Sequence, residues 1–283
     1  MINLRMKKRL FIMLLILVFL IIFCIWENNS IVISQFTYTS DKIPNTFNDF
    51  KILQISDLHN KSFGNNQSYL MKKVREISPD IIVITGDLID SRSFNLNIAM
   101  SFVEQAVGMA PVYYVPGNHE ARSGSYDEIK GRLKGAGVTV LDNEGLSCRR
   151  DGSSISIIGL KDPGFSTSDY IDGVDTRSME ACLDNYKDSS QLKIVLSHRP
   201  ELMYMYNNYN ADIVFSGHAH GGQVRLPFIG GIVAPDQGFF PKYDGGEYEE
   251  GITTMYVSRG LGNSIFPIRL FNRPELVVVT LKK

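Results

Sequence analysis

The feature that most constrains the fold of this 283-residue chain is a short, mostly apolar run that stops abruptly at a polar motif. Five such runs occupy residues 51–55, 80–84, 112–115, 192–196 and 212–216. A strand buried on both faces of a parallel sheet has this continuous apolar pattern. Apolar residues at helical spacing follow the first two runs, and Pro79 and Pro111 end those segments. The alternation predicts right-handed βαβ units, a largely parallel sheet and therefore an α/β fold.

Other parts of the chain follow different patterns. Residues 31–40 alternate apolar and polar positions, as a half-exposed strand does. We expect short hairpin strands within 138–160, a helix near 176–188, and closing strands at Thr253–Val257 and Glu275–Leu281. The Gly- and Pro-rich stretch between His220 and Gly251 is expected to be a long loop that shapes a pocket. No linker-like change of composition follows residue 50, so residues 50–283 are predicted to form one domain.

The N-terminus has the composition of a membrane-inserted helix. Basic residues within positions 1–9 precede an uninterrupted apolar run at residues 10–26, and Trp26 suits a membrane interface. A helix over this run spans about 26 Å, slightly less than the thickness of the hydrocarbon core of a bilayer. The run ends in bulky residues without an Ala-x-Ala-like site, which favours an uncleaved signal-anchor over a removed signal peptide.

These features predict an order of segments along the chain. Residues 1–9 form a cytoplasmic basic segment, because basic flanks stay inside the cell. Residues 10–26 cross the membrane once, and residues 27–49 hold a juxtamembrane segment and the first strand. The predicted localisation is therefore the cell membrane, with the domain at 50–283 outside the cytoplasm.

Charge and cysteine content exclude several classes of protein. A net charge of -1 gives no general attraction to nucleic acid, which argues against a nuclease. Three cysteines are too few for a disulfide framework, and Cys24 lies within the apolar run. A bridge between Cys148 and Cys182 is one interpretation, but two inert thiols explain the spacing better. No Cys-x-x-Cys occurs, so a finger-type zinc site is not expected.

Chemistry-bearing residues concentrate where the apolar runs stop. All five histidines of the chain lie in or next to these motifs, and His218 and His220, two positions apart, can reach into one volume. Parallel strands align their ends, so one edge should gather Asp57, His59, Asp87, Asn118, His119, His198, His218 and His220. Two carboxylates, one amide and five imidazoles exceed the needs of one tetrahedral ion but suffice for two. Paired metals suit an in-line phosphoryl displacement.

The motifs resemble those of a known family. Asp57-Leu58-His59, Gly86-Asp87-Leu88, Gly117-Asn118-His119-Glu120, His198 and Gly217-His218-Ala219-His220 match the calcineurin-like metallophosphoesterase superfamily in order and with compatible spacing. The resemblance spans roughly residues 50–281. It implies a four-layer α/β/β/α sandwich with two central mixed β-sheets, to which this chain adds its N-terminal transmembrane helix.

The resemblance also implies roles for the residues. Asp57, His59, Asp87 and His220 would hold one divalent metal, and Asp87, Asn118, His198 and His218 would hold the second. His119 would bind no metal and would stabilise or protonate the leaving oxygen. The metals would lower the pKa of a bridging water towards 7, and the resulting hydroxide would attack phosphorus in line. Manganese, iron and zinc all accept this set of ligands.

A finer resemblance is to membrane-anchored bacterial phosphodiesterases of the YkuE/YaeI type. It is carried by Ser56-Asp57-Leu58-His59, by His218-Ala219-His220-Gly221-Gly222-Gln223, by Arg225-Leu226-Pro227, and by the tail from Ser258-Arg259-Gly260-Leu261-Gly262 through Arg273-Pro274-Glu275. The resemblance implies a phosphodiesterase or pyrophosphatase at the outer face of the cytoplasmic membrane, with a lipid-linked or nucleotide-linked phosphate ester as substrate. Relatives in this branch include enzymes that cleave the pyrophosphate of a UDP-linked diacylglucosamine.

Alternatives stay open for the function. A phosphomonoesterase of the same superfamily uses the same metals, and a non-catalytic metal-binding scaffold would keep the fold. A metallo-β-lactamase-type hydrolase would need a His-x-His-x-Asp-His run, which the residues after His220 do not provide. The sequence does not indicate an oligomeric state.

Alternatives also stay open for individual side chains. Arg199 is a candidate for substrate binding through phosphate, or a residue that covers a surface. Tyr243 and Asp244 are expected in a solvated loop. Phe239 and Phe240 would either border an apolar or lipid pocket or pack beneath the loop.

Overall fold

The computed structural model describes residues 4–166, 174–264 and 266–283. Its helices are α1 (Leu4–Asn29), α2 (Ser68–Ile77), α3 (Leu96–Ala106), α4 (Asn118–Arg122), α5 (Tyr126–Gly135), α6 (Arg177–Asp184) and α7 (Met203–Asn208). Its strands are β1 (Val32–Thr39), β2 (Lys51–Ile55), β3 (Ile81–Thr85), β4 (Val112–Val115), β5 (Thr139–Val140), β6 (Glu144–Arg150), β7 (Ser153–Gly159), β8 (Lys193–Leu196), β9 (Ile213–Ser216), β10 (Arg225–Leu226), β11 (Gly230–Gly231), β12 (Val233–Ala234), β13 (Gly238–Phe239), β14 (Gly246–Glu250), β15 (Thr253–Val257) and β16 (Glu275–Lys282).

The strands form two six-stranded mixed sheets. The first sheet has the order β1-β16-β2-β3-β4-β5, and the second has the order β14-β15-β9-β8-β7-β6. In the first sheet only β16 and β2 pair antiparallel, and β1 pairs with β16 along its whole length, from Val32 opposite Glu275 to Thr39 opposite Lys282. In the second sheet β15, β9, β8 and β7 are parallel, and the edge strands β14 and β6 are antiparallel.

Three apolar cores separate four layers. Successive residues of one strand serve different cores: Leu53 faces the helices α2, α3 and α5, whereas Ile52 faces the space between the sheets. A third core lies between the second sheet and helices α6 and α7. Both faces of each sheet are therefore covered, which is why inner strands such as β3, β4, β8 and β9 are buried without alternation. Each fully buried aliphatic side chain contributes about 1.5–3 kcal/mol. The predicted α/β/β/α sandwich is confirmed.

One buried polar side chain ties the two sheets together. Gln54 on β2 donates through Nε2 to Thr85 Oγ1 at 2.9 Å and to Ser216 O at 2.8 Å. Because Thr85 ends β3 and Ser216 ends β9, this bridge aligns the carboxyl ends of both sheets. The polar motifs that follow those strands are thereby brought to one edge.

Several elements differ from the sequence predictions. The stretch expected to be only a loop contains the edge strand β14 and two short hairpins, β10–β11 and β12–β13. The burial of β14 alternates, and its exposed positions are charged, so it lacks the apolar pattern that reveals a strand. The helix expected near 176–188 spans only Arg177–Asp184.

Helix α1 extends beyond the predicted span of 10–26 at both ends. Among the described residues it is the one helix long and apolar enough to cross a membrane, and most of its apolar side chains are exposed. The first three residues of the predicted basic segment lie outside the described residues. Such a helix is typical of both a membrane anchor and a signal sequence.

The end of α1 packs against the rest of the protein. Glu27 is buried and accepts a hydrogen bond from Asn272 N at 3.0 Å. Asn28 accepts from Arg269 N at 3.0 Å, and the backbone carbonyl of Asn28 accepts from Lys61 Nζ. These contacts join the C-terminal turn of α1 to the segment that precedes β16 and to Lys61 in the loop after β2.

Candidate metal centre

The predicted site residues converge at the carboxyl edge of the two sheets. Asp57 and His59 follow β2, Asp87 follows β3, Asn118 and His119 begin α4 after β4, His198 follows β8, and His218 and His220 follow β9. All eight residues are buried. The structure therefore brings together side chains that are up to 163 positions apart in the sequence.

The ligand-type atoms fall into two groups. In the first group, His59 Nε2 lies 3.0 Å from His220 Nε2, which is 3.3 Å from Asp57 Oδ1. In the second group, His198 Nε2 lies 3.2 Å from His218 Nδ1 and 3.0 Å from Asn118 Oδ1.

Asp87 stands between the two groups. Its Oδ2 is 3.6 Å from His59 Nε2 and 3.2 Å from His198 Nε2. Its other oxygen accepts a hydrogen bond from His119 N at 2.8 Å, which fixes the orientation of the carboxylate. A carboxylate held in this way can contact ions in both groups.

Hydrogen bonds outside each group orient the imidazoles. Thr85 O can only accept, so His198 Nδ1, at 2.7 Å, must donate to it and leaves Nε2 free of a proton when the ring is neutral. His218 Nε2 lies 2.9 Å from Asp236 Oδ2, which turns Nδ1 towards His198. A carboxylate or carbonyl behind a histidine is the usual support of a metal-ligating ring.

Electrostatics show that the residues fit two cations. Burial lowers the pKa of His59 to about 3 and that of His220 well below its usual value, so both rings are neutral at pH 7. One proton can join the two facing Nε2 atoms, but it cannot also serve the oxygens of Asp57 and Asp87, which lie 3.3 Å from His220 Nε2 and 3.6 Å from His59 Nε2. Cations between such nitrogens and the carboxylates of Asp57 and Asp87 would supply the missing partners.

The second group has the same demand for positive charge. Burial opposes protonation of His198, yet the carboxylates of Asp87 and Asp57 raise its pKa to about 10. Burial also disfavours charge on Asp87, but the facing His198 and His119 hold the pKa of this carboxyl well below its ordinary value. A proton on His198 and a bound cation would satisfy these carboxylates in the same way.

The backbone at these residues is strained. Asp57, His59, Asp87, His218 and His220 all have φ between 45° and 65°, a left-handed region that few residues other than Gly adopt, although Asn, Asp and His are over-represented among those that do. Each such residue costs of order 1–3 kcal/mol, and the surrounding sheet must hold it in place. Strain concentrated in one cluster is characteristic of functional sites.

Two motif glycines are explained by close packing. A Cβ on Gly217 would lie 1.9 Å from Ser56 Oγ and 2.3 Å from Asp57 Oδ2. A Cβ on Gly117 would lie 2.3 Å from Asp87 Oδ1. Neither glycine has a positive φ, so both are needed because any side chain would displace a carboxylate.

His119 is oriented differently from the other histidines. Ser91 N donates to its Nδ1 at 3.0 Å, which makes Nδ1 an acceptor and places the proton of the neutral ring on Nε2. Asp90 Oδ1 lies 3.5 Å from Nδ1 and would stabilise a second proton there. His119 lines the cavity above the cluster, so its ring is available to a bound molecule.

Arg199 is engaged by carboxylates. Its guanidinium is fully buried, donates to both oxygens of Asp162 at 2.9 and 3.1 Å, and donates to Asp236 at 2.7 Å. The alternative that Arg199 covers a surface is wrong, because the side chain has no exposure. Phosphate binding by Arg199 stays a prediction, but its observed role is to hold Asp236, which in turn contacts His218.

A cavity of about 620 Å³ opens directly above the cluster. Its floor includes Asp87, His119 and the two histidines of the Gly217–His220 motif. One wall is apolar and contains Val233, Ala234, Pro235 and Phe266. The loop between His220 and Gly251 therefore shapes a pocket, as predicted.

One prediction about this loop is wrong, and one of two alternatives is excluded. Tyr243 and Asp244 are buried rather than solvated, because Asp244 accepts from Gly231 N and from Tyr248 Oη. Phe239 and Phe240 do not pack beneath the loop, since they are 77% and 66% exposed.

Sequence reasoning gave no role to four residues that support the cluster. Glu120 accepts from the backbone N–H groups of Asp87, Gly117 and Ile89, and burial together with Asp87 raises its pKa to about 7. The other three are Asp236, Arg269 and Asn272, of which Asn272 donates to His220 O at 2.7 Å. Of these four residues, only Glu120 could have been found from the sequence, because it belongs to the Gly117–Glu120 motif. The other three act through contacts between loops, which leave no repeating pattern in the sequence.

The comparisons agree with this geometry. The sequence profile of the family "Calcineurin-like phosphoesterase" matches residues 50–222. The uncharacterized metallophosphoesterase YkuE of Bacillus subtilis is 33% identical over 265 residues, which cover 90% of this chain and 87% of that protein. The chain therefore belongs to the calcineurin-like metallophosphoesterase family and is a hydrolase.

Two further similarities concern a named activity and the fold. The phosphodiesterase YaeI of Escherichia coli is 28% identical over 239 residues, with 82% of each chain covered. The crystal structure of TT1561 of Thermus thermophilus has a TM-score of 0.52 at 14% identity, covering 75% of this chain and 90% of that one. The latter likeness concerns the fold alone.

Proposed function

We propose that this protein is a dinuclear-metal-dependent phosphodiesterase or pyrophosphatase. Asp57, His59, Asp87 and His220 would hold one ion, and Asp87, Asn118, His198 and His218 would hold the other. The observation that carries the proposal is the position of Asp87 Oδ2 between the two groups of ligand atoms, 3.6 and 3.2 Å from their nearest nitrogens.

Different residues have different roles in the proposed hydrolysis. Two divalent cations in this site would supply an activated water at neutral pH and neutralise charge on the phosphoryl oxygens. The chain fixes the positions of the two cations by orienting their ligands. Thr85 O orients His198, Asp236 orients His218, and the Glu120 carboxylate holds the backbone of Asp87. The charged His119 ring, protonated on both nitrogens, would give its Nε2 proton to the leaving oxygen and return to the neutral form, with the Asp90 carboxylate 3.5 Å from Nδ1.

The cavity favours a substrate with two substituents on phosphorus. A volume of about 620 Å³ is in the range of sites for drug-sized ligands, far more than a lone phosphate fills. Its apolar wall would contact a substituent rather than phosphate oxygens. The name of YaeI, a phosphodiesterase, agrees with this preference.

We also propose that α1 stays attached and anchors the enzyme, with the catalytic domain outside the cytoplasm. Cleavage after the apolar run would remove the buried Glu27 or leave its contact with Asn272 at a free chain end. A signal sequence that is cleaved off would not need to pack against the mature protein, as the end of α1 does through Glu27. The basic residues before the run would remain in the cytoplasm.

Metal analysis and turnover of the full chain in detergent test the proposal together. We expect two equivalents of metal and faster hydrolysis of bis(p-nitrophenyl) phosphate than of p-nitrophenyl phosphate. The reverse preference would indicate a phosphomonoesterase. Bound metal without turnover of either compound would indicate a binding scaffold, and the proposed function would be wrong.

A further inference from the structure

Large apolar side chains are exposed on one side of the cavity. We call Phe228, Ile229, Phe239, Phe240 and Phe271 the apolar rim; their exposed fractions are 108%, 62%, 77%, 66% and 54%. Phe228 and Ile229 form the turn between β10 and β11, and Phe239 and Phe240 lie at the end of β13. Five large apolar residues exposed together are unusual for a surface that faces only water.

The rim is continuous with the end of the apolar helix. The Phe271 ring lies 5.7 Å from the Phe23 ring of α1, and the Arg273 guanidinium lies 4.7 Å over the ring of Trp26. Phe271, Phe228 and Ile229 also line a second cavity, distinct from the one above the metal ligands. Because the predicted membrane span ends at Trp26, the rim begins at the level where α1 leaves the bilayer.

Three exposed residues of the rim have a strained backbone conformation. Phe228, Phe240 and Phe271 have φ of 69°, 54° and 53°. A bulky residue at positive φ is an outlier, and glycine or asparagine would relieve the strain in an exposed turn. Three exposed phenylalanines at such positions indicate that the aromatic side chains themselves are used.

The rim also leads into the catalytic cavity. Phe239 pairs with Val233 in the hairpin β12–β13, and Val233 belongs to the apolar wall above the metal ligands. An apolar path therefore joins the end of α1, the rim and the cavity.

We infer that the apolar rim seats the catalytic domain on the bilayer that α1 crosses, so that the cavity takes phosphate esters carried by lipids of that bilayer. This inference rests on the proposed function and names the substrate class of the same site. A lipid would rise along the rim with its phosphate towards the metal ligands and its chains against Val233 and Phe266. Lys242, with a largely exposed side chain beside the rim, would be attracted to anionic headgroups.

Photolabelling tests the seating directly. The full chain is placed in nanodiscs of phosphatidylglycerol and phosphatidylcholine that contain a phosphatidylcholine with a diazirine in its acyl chain. We expect labelled peptides from α1, from residues 228–229 and from residues 239–240. Labelling confined to α1 overturns the inference, and so does a second copy of the chain that covers the rim and is captured as a cross-linked dimer.

Two esters with the same leaving group test the substrate class. The water-soluble probe is bis(p-nitrophenyl) phosphate, and the lipid probe is hexadecyl p-nitrophenyl phosphate dissolved in the nanodisc. In the variant Phe228→Asp/Phe239→Asp/Phe240→Asp, hydrolysis of the lipid probe should fall at least about fivefold, because the apolar contact with the membrane is lost. Hydrolysis of the soluble probe should stay within about twofold of the parent, since these side chains do not line the catalytic cavity.

Ile252→Asp is the matched control. Ile252 is 54% exposed and lies just before β15, at the edge opposite the metal ligands. It should change neither rate. Equal losses with both probes in the triple variant would make the rim a folding element and overturn the inference. No turnover of either probe by the parent would instead refute the proposed function, while photolabelling would still decide whether the rim contacts lipid.

Discussion

The floor and the wall of the cavity are built in different ways. The floor consists of buried side chains at strand ends, each oriented by backbone groups or by a second side chain, as Asp87 is by His119 N. Most of the wall and rim comes from hairpins of two-residue strands, and Phe266 and Phe271 come from the segment before β16; the aromatic side chains are largely exposed. The difference indicates that the chemistry is fixed by the sheets and that the choice of substrate depends on the loop.

The two parts meet at Asp236. This loop carboxylate is 2.9 Å from His218 Nε2 and 2.7 Å from Arg199 Nη1, and the hydrogen bond to His218 is the main reason that its pKa is lowered to about 2. Asp236 is therefore charged at any pH at which the enzyme would work. Substitutions in the floor should affect every substrate alike, whereas substitutions in the wall should affect some substrates more than others.

The largest effect is expected from Asp87→Asn. The amide keeps the size of the side chain but removes the charge that both groups of ligands share, so at least one metal should be lost. We expect kcat/KM to fall roughly 10³-fold, equivalent to about 4 kcal/mol. Metal content and kcat/KM should be measured with both a soluble and a lipid ester. A loss restricted to one substrate would contradict the distinction between floor and wall.

A second large effect, on stability rather than on chemistry, is expected from Asp162→Ala. The change leaves the buried Arg199 without its bidentate partner, and breaking a buried pair costs about 3–5 kcal/mol. Chemical denaturation should show this loss as a lower midpoint. Asp175→Ala removes an equally bidentate partner of the exposed Arg177 and should leave the midpoint unchanged. Equal midpoints for both variants would show that the buried pair is not a structural support of the wall.

The floor was predictable from the sequence for a physical reason. A continuous apolar run identifies a doubly covered strand, and the residue after it must then lie at the carboxyl edge, as Asp57 and His198 do. The wall was not predictable in this way, because β10 to β13 have two residues each and no period can be detected. The burial of Asp244 depends on Gly231 N, a contact that no local pattern reveals.

The variant His119→Ala should show whether His119 acts as a general acid or as a metal ligand. The variant should keep its metals and lose about 10²-fold in kcat, as removal of a general acid does. The loss should be larger for an alkyl leaving group than for p-nitrophenolate, which needs no proton to depart. Metal content by mass spectrometry and kcat for two leaving groups would measure this. Loss of a metal ion in this variant would show that His119 is a ligand, which the proposal excludes.

The smallest effect is expected at the contact between the two parts. Asp236→Asn keeps a hydrogen bond to His218 but removes the charge that supports the ring, and supporting partners of this kind are worth about 10–100-fold in metal affinity. We expect metal affinity to fall by about 10-fold, the low end of this range, because Thr85, His198 and Asn118 still hold the second group of ligand atoms. Asp244→Asn is the control, since Asp244 is a buried loop carboxylate that contacts Arg225 and Gly231 but no histidine. If titration with manganese gave the same affinity for Asp236→Asn and for the control, the loop would not support the metal centre, and the wall would act on substrate alone.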